Sequence, residues 1–125
     1  MMLAGVYNIT CEQGATFLRV MLLEYPDPND STQTTYLPWD FTDYTARMQV
    51  RRTYDSTSPM IELTTENGGI TLNDGEQGEI RIIMTDAQTA SLSSNGVYDL
   101  EIVSPEGNVS RVIQGTFTLS LEVTR

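Results

Sequence analysis

The sequence contains no histidine and no lysine, so all seven of its basic side chains are arginines. Histidine is the commonest general base near neutral pH and the commonest protein ligand of zinc. Without lysine, Schiff-base catalysis and the phosphate-binding lysine of a P-loop are excluded. We therefore expect a protein that is not an enzyme, that binds no cofactor and that has no histidine-based metal site.

Cysteine is almost absent as well. Cys11 is the single cysteine, so an intrachain disulfide is impossible and the fold does not depend on an oxidising compartment. A nucleophilic cysteine needs a charged neighbour that activates the thiol, and no histidine can serve. We expect Cys11 to be a half-buried strand residue.

Long apolar runs and excess positive charge are also missing. No segment approaches the ~20 apolar residues that span a bilayer, and the start of the sequence lacks the pattern of a signal peptide. Seventeen acids against seven arginines give a net charge of -10. Because nucleic acids and anionic membranes attract basic surfaces, we expect neither of them as a partner.

Hydrophobic residues recur with period two along most of the sequence, which predicts β-strands. Near the end, Phe117, Leu119, Leu121 and Val123 alternate with polar residues and would share one face of a strand. Similar β-rich runs occupy residues 6–12, 15–25, 44–52, 60–65, 70–73, 79–84, 97–103 and 108–114.

The run at residues 15–25 is apolar on both faces. Ala15, Phe17, Met21 and Leu23 lie on one face, and Leu18, Val20 and Leu22 lie on the other. This pattern indicates a strand that is covered on both sides or contributes to a subunit contact.

Turn and cap signals divide these strands. The sequence Ser-Pro-Glu-Gly-Asn at 104–108 predicts a hairpin turn, and Gly115 indicates a bulge or bend. The turn at residues 67–69 separates two short strands. Thr85 and Gln88 have the spacing of a capping box, which predicts one or two helical turns within residues 85–92.

Seven to nine short strands and one short helix in 125 residues favour a single all-β domain over residues 1–125, a two-sheet antiparallel β-sandwich. Residues 26–43 are rich in turn-forming residues and predict an irregular insert. An insert of this length is often functional.

Several strings in this order resemble a family of small virion proteins of tailed bacteriophages. They are YNITCEQGATF, DYTARMQVR, IELTTENGGITL and the long C-terminal string VYDLEIVSPEGNVSRVIQGTFTLSLEVTR. The family is similar to the immunoglobulin-like N-terminal domain of phage upper baseplate proteins. The resemblance covers most of the chain outside residues 26–43.

The resemblance implies an immunoglobulin-like β-sandwich without catalytic activity. It implies a structural or adaptor protein of the virion, assembled in the host cytoplasm. We expect its place to be the tail or baseplate. Its partners would be other virion proteins and further copies of itself in a symmetric particle. A head-decoration protein and a carbohydrate-binding module that contacts the host surface are the alternatives.

An aromatic group stands out within the predicted insert. Tyr36, Leu37, Trp39 and Phe41, followed by Tyr44, either anchor a neighbouring virion protein or pack back over the open end of the sandwich. In the carbohydrate-binding alternative, Tyr36 and Trp39 would stack on sugar rings.

Charged residues supply the other candidates. Arg47 and Arg51 share a strand face, and we expect them to pair with carboxylates across strands or across a subunit boundary. Asp99 and Glu101 fall on outward strand positions, which favours a solvated face over a glycosidase site.

Two acidic turns could in principle bind calcium, since they offer oxygen ligands at close spacing. One contains Asp27, Asn29 and Asp30, and the other contains residues 73–76. Both lack the full ligand spacing of an EF-hand, so solvated acidic loops are favoured.

Overall fold

The structure is a computed structural model and describes residues 5–124. Strands dominate it, as the period-two pattern predicts. In chain order the elements are β1 Gly5–Val6, β2 Ile9–Glu12, β3 Phe17–Leu22, β4 Glu24–Pro26, β5 Tyr36–Pro38, β6 Thr45–Arg51, β7 Ile61–Thr64, β8 Ile70–Leu72, β9 Glu79–Met84, α1 Asp86–Ala90, β10 Gly96–Val103 and β11 Val109–Ser120.

The strands form two main sheets and a small hairpin. The large sheet has the order β1-β11-β10-β6-β7, and β2 also pairs with β11. The small sheet has the order β3-β9-β8, and β4 pairs with β5. The inward side chains of both sheets form one hydrophobic core, so the prediction of a two-sheet sandwich is confirmed.

The strand order is that of an immunoglobulin-like sandwich. Strands β11, β10, β6 and β7 correspond to a G-F-C-C′ sheet, and β3, β9 and β8 correspond to strands B, E and D. All other strand pairs are antiparallel, and the short strands β1 and β2 both pair with β11 in parallel.

Residues 6–12 form two short strands instead of the single strand predicted, and Gly115 explains the break. The N–H of Tyr7 donates to the carbonyl of Gln114 at 2.9 Å. A Cβ at position 115 would overlap the carbonyl oxygen of Tyr7. Gly115 therefore permits a close approach of two backbones and does not bend β11. The irregularity between β10 and β11 lies between Leu100 and Glu101.

The end of β11 also differs from the prediction. Phe117 and Leu119 are buried, but the strand ends at Ser120. Leu121 is 70% exposed and Val123 is 90% exposed. Leu121 and Val123 continue the alternating pattern beyond the end of β11. The pattern therefore predicts a longer strand than the structure has.

The run at residues 15–25 is likewise split, because Leu23 leaves the small sheet. Its N–H donates to the carbonyl of Gly78, and its carbonyl accepts from the N–H of Trp39 at 2.8 Å. The chain then enters β4. Leu18, Val20 and Leu22 lie on the outer face of β3, uncovered in this single chain.

Residues 26–43 are more regular than predicted. Within them β5 pairs with β4, and the pair Tyr25–Leu37 lies at the centre of this hairpin. The turn at residues 67–69 does not close a hairpin, because it carries the chain from β7 in the large sheet to β8 in the small one.

The capping-box prediction is confirmed. The side chain of Thr85 accepts from the N–H of Gln88, and the side chain of Gln88 accepts from the N–H of Thr85. The buried Thr89 hydroxyl donates to the carbonyl of Ala15 at 2.8 Å, which ties α1 to the turn before β3. Among the described residues, no helix is long and apolar enough to cross a membrane.

Candidate functional site

The outer face of the large sheet carries a row of charged side chains on β6. Ala46, Met48 and Val50 point into the core. The residues between them point outward, as predicted, so Arg47 and Arg51 lie on the same open face.

Strand register brings these arginines to specific neighbours. Arg47 lies opposite Glu101 on β10, and Gln49 lies opposite Asp99. On the other side Gln49 lies opposite Glu62 of β7. Because side chains directly opposite each other are about 5 Å apart at Cβ, the outward residues of three strands form one continuous polar surface.

Arg47 is paired with a carboxylate, as predicted. Its Nε lies 2.9 Å from Glu101 Oε1, and the two side chains are 51% and 28% exposed. One strand further, Arg111 Nε lies 3.3 Å from Asp99 Oδ2. These pairs are partly exposed, so each contributes only about 0–1 kcal/mol to stability.

Arg51 binds differently from the prediction. Its Nη1 donates to the carbonyl of Ser56 at 2.7 Å, and its Nη2 donates to Gln49 Oε1 at 2.7 Å. The hydrogen-bond partners of Arg51 within this chain are thus a loop carbonyl and a side-chain amide, not a carboxylate. Arg51 thereby fixes the start of the loop that carries Tyr54.

The carboxyl group of Asp99 on this face has a raised pKa. Partial burial raises its pKa, and repulsion from Glu101 adds to the increase. Attraction to Arg111 and Arg51 opposes both effects. Burial and the neighbouring Glu101 outweigh the two arginines, so the pKa of Asp99 stays above its ordinary value.

These residues line a surface concavity with a volume of about 750 Å³, which we call the arginine groove. Its charged lining residues are Arg47, Arg51, Arg111, Glu62, Asp99 and Glu101. Three positive and three negative groups balance, so the whole excess of negative charge in this -10 chain lies outside the groove. Tyr54 stands at the groove with 90% of its surface exposed.

The aromatic candidates lie elsewhere, around the β4–β5 hairpin. The ring of Trp39 meets Tyr25 edge-on, with centroids 5.8 Å apart, and packs against Phe41 at 6.4 Å. Phe41 in turn meets Tyr44 at 5.8 Å. The predicted packing of aromatic residues over the sandwich is therefore present.

Burial divides the predicted interface residues of this region. Phe41 is only 2% exposed and belongs to the core, so it offers no surface to a partner. Trp39 and Leu37 are partly buried, and Tyr36 is 55% exposed. Of these four predicted residues, Tyr36 presents the most accessible ring.

Tyr36 and Trp39 do not form a shared platform for a sugar. Leu37 pairs with Tyr25 across the hairpin, and Trp39 packs against the same Tyr25. Tyr36 is adjacent to Leu37 in β5, so its side chain points to the opposite face. This geometry weighs against the carbohydrate-binding alternative.

The acidic turn at residues 27–35 is organised by its own hydrogen bonds. The Asp30 carboxylate accepts from the N–H groups of Thr32, Thr34 and Thr35. Hydrogen bonds from Thr32 and Thr35 hold the pKa of Asp30 well below its usual range. No group of three or more acidic or cysteine side chains within residues 5–124 is placed to hold a metal ion.

Cys11 is more buried than predicted. It lies on β2 with no exposed surface, and burial raises the pKa of its thiol. Nearby Arg19 lowers that pKa by a smaller amount. A buried neutral thiol is a packing residue.

Sequence reasoning missed Arg111 and Tyr54, as well as Glu62, as residues of the arginine groove. Arg111 lies in a β-rich run, and only the register of β11 against β10 places it beside Asp99. Tyr54 lies in a loop without periodicity. A lone aromatic residue among polar turn residues was the only available signal.

No protein-family model and no curated protein sequence matches the chain. Among solved structures, one of murine CRIg is similar with a TM-score of 0.41 and 11% sequence identity. The match covers 92% of this chain and 92% of that chain. At this identity the likeness carries no information about what the chain binds, and the assignment of the fold rests on strand order.

Proposed function

We propose that the protein is a non-enzymatic structural protein of a tailed-phage virion, an adaptor in the tail or baseplate that docks neighbouring virion proteins. The virion location comes from the sequence resemblance. The docking mechanism comes from the sandwich, which holds a rigid sheet face towards a partner.

The observation that carries the docking mechanism is the arginine groove. Its charges balance within a strongly acidic chain, so an acidic neighbour is repelled less there than at the acidic remainder of the surface. Exposed Tyr54 supplies the aromatic anchor that protein interfaces favour, and Arg47 is a second anchor of a favoured type.

Immunogold labelling of purified particles tests the location. We expect label at the tail or baseplate. Label on the head instead would establish the head-decoration alternative. Particles that lack the protein altogether would overturn the virion assignment.

Incorporation into particles tests the docking face. In a phage that depends on a plasmid copy of the gene, Tyr54→Ala and Arg47→Glu should reduce incorporation at least about tenfold, because interface anchors contribute about 2 kcal/mol or more. Quantitative immunoblots of purified particles give the measurement. Arg52→Glu is the matched control, since Arg52 is an exposed arginine that bonds Ser93 outside the groove. Equal loss with all three variants would contradict docking through the groove.

A further inference from the structure

The outer face of the small sheet carries an exposed apolar cluster. Leu18, Val20 and Leu22 on β3 are 46%, 47% and 52% exposed, and Ile83 on β9 is 39% exposed. Register places Leu18 opposite Ile83, so the four side chains adjoin. We call this cluster the leucine face.

The outer face of the large sheet differs from the leucine face in composition. The central outward positions of β6 and β10 are Arg47, Gln49, Asp99 and Glu101, and the two outward valines of β10, Val97 and Val103, lie near its ends. A strand with one solvated face alternates between apolar and polar residues, as β6 does, whereas β3 has three outward apolar residues in succession. A contiguous exposed apolar cluster in a soluble sandwich marks a contact surface.

Arg19 determines how a partner can approach β3. Its Nη2 donates to the carbonyl of Thr10 on β2, and its Nη1 donates to the carbonyl of Leu18, both at 3.0 Å. The guanidinium therefore covers the free edge of β3 near Leu18. Strand addition at Leu18 would have to displace this side chain, which favours a partner that packs on the face of the sheet.

The charges beside the leucine face are complementary to one another. Arg81 lies opposite Val20, and its guanidinium is 3.7 Å from Asp74 and 3.5 Å from Glu79. The Arg81 and Asp74 side chains are 39% and 54% exposed, so both remain accessible. A surface with apolar residues and both members of an ion pair fits a second copy of itself in a two-fold contact.

We propose that a second copy of this chain packs its leucine face against the leucine face of the first, with the two small sheets stacked. In this contact apolar side chains meet apolar side chains, and Arg81 of each copy can face Asp74 of the other.

The small size of the face favours a weak contact. A stable interface needs about 800 Å² from each partner, and four partly exposed side chains supply only part of this area. We therefore expect a monomer–dimer equilibrium with a Kd on the order of 100 μM. The high local concentration in an assembled particle would favour the dimer.

Sedimentation velocity from about 10 μM to about 1 mM tests the proposal. The wild-type chain should shift from monomer to dimer, and Val20→Glu should remain a monomer throughout. Val109→Glu is the matched control, because Val109 is a strand valine with 51% exposure on the large sheet. It should dimerise like the wild type.

Methyl NMR of the wild-type chain makes the test independent of variants. On dilution, the methyl signals of Leu18, Val20, Leu22 and Ile83 should shift, while that of Val109 should not. A wild-type chain that stays monomeric at about 1 mM would overturn the proposal. A dimer that persists in Val20→Glu, or one lost equally in Val109→Glu, would overturn it too.

This inference does not depend on the proposed function. Dimerisation through the leucine face is measured with the purified chain, whereas the proposed function is measured by the location of the protein in particles and by docking through the arginine groove. Either result can fail while the other stands.

Discussion

Tyr98 connects two parts of the sandwich through a single polar atom. Its ring lies in the core with 5% exposure, and its hydroxyl donates to the carbonyl of Tyr7 between β1 and β2. Burial of the phenol raises its pKa well above the ordinary value of 10.0. The hydrogen bond leaves the hydroxyl paired in a place where an unpaired group would destabilise the fold.

Tyr98→Phe should therefore lower the free energy of unfolding by about 1–3 kcal/mol, because the carbonyl of Tyr7 loses its partner. Urea denaturation near pH 7 gives the measurement. Tyr54→Phe is the control and should have little effect, since Tyr54 is 90% exposed.

The same residue predicts a dependence on pH. The folded chain holds the Tyr98 proton more tightly than the unfolded chain, so the unfolded chain releases it first as pH rises through 10.0. The stabilisation is complete below that pH and declines above it. The wild-type chain should thus lose its advantage over Tyr98→Phe above about pH 10. A constant difference between the two up to pH 11 would contradict this prediction.

At the scale of a single element, β11 shows what a period-two pattern can determine. The pattern correctly places Phe117 and Leu119 inward and Thr118 outward. It cannot determine where the strand ends, because this depends on which neighbours remain to pair with it. Ser120 is the last residue of β11 in the ladder with β2, where it lies opposite Glu12.

Substitutions along β11 test this register. Phe117→Ala should cost about 3–5 kcal/mol and Leu119→Ala about 2–5 kcal/mol, as changes from large to small core residues do. Thr118→Ala should change stability by about 0.5 kcal/mol or less, because Thr118 is exposed. Thermal and urea denaturation followed by circular dichroism give the values. The reverse order would mean that the faces are assigned one residue out of register.

The short helix was predictable for a local reason. A capping box needs only Thr85 and Gln88 three residues apart, and both hydrogen bonds are present. The break in the first strand was not predictable, because it results from contact between Tyr7 and Gly115, which are far apart in the sequence.

At the scale of the whole molecule, the two proposed contact surfaces differ in their charge. The arginine groove is charged but balanced, and the leucine face is mainly apolar. The remaining surface carries the acidic excess. Two copies therefore repel each other at long range even where their contact surfaces match.

Salt should accordingly strengthen the proposed dimer. Raising NaCl from about 20 mM to about 300 mM shortens the Debye length and screens the repulsion, so the Kd should fall roughly threefold to tenfold. Sedimentation equilibrium at both salt concentrations gives the measurement. A Kd that increases with salt would show that ion pairs such as Arg81–Asp74 dominate the contact in place of the apolar side chains.

The sequence by itself determined the fold class and the orientation of most strand residues, because alternation and turn residues act over short distances. It also placed Arg47 and Arg51 on one face. Only the tertiary structure decided what these residues meet. Strand pairing brings Arg111 and Tyr54 to the groove, buries Phe41 and leaves Leu18 exposed, since each outcome depends on segments distant in the sequence.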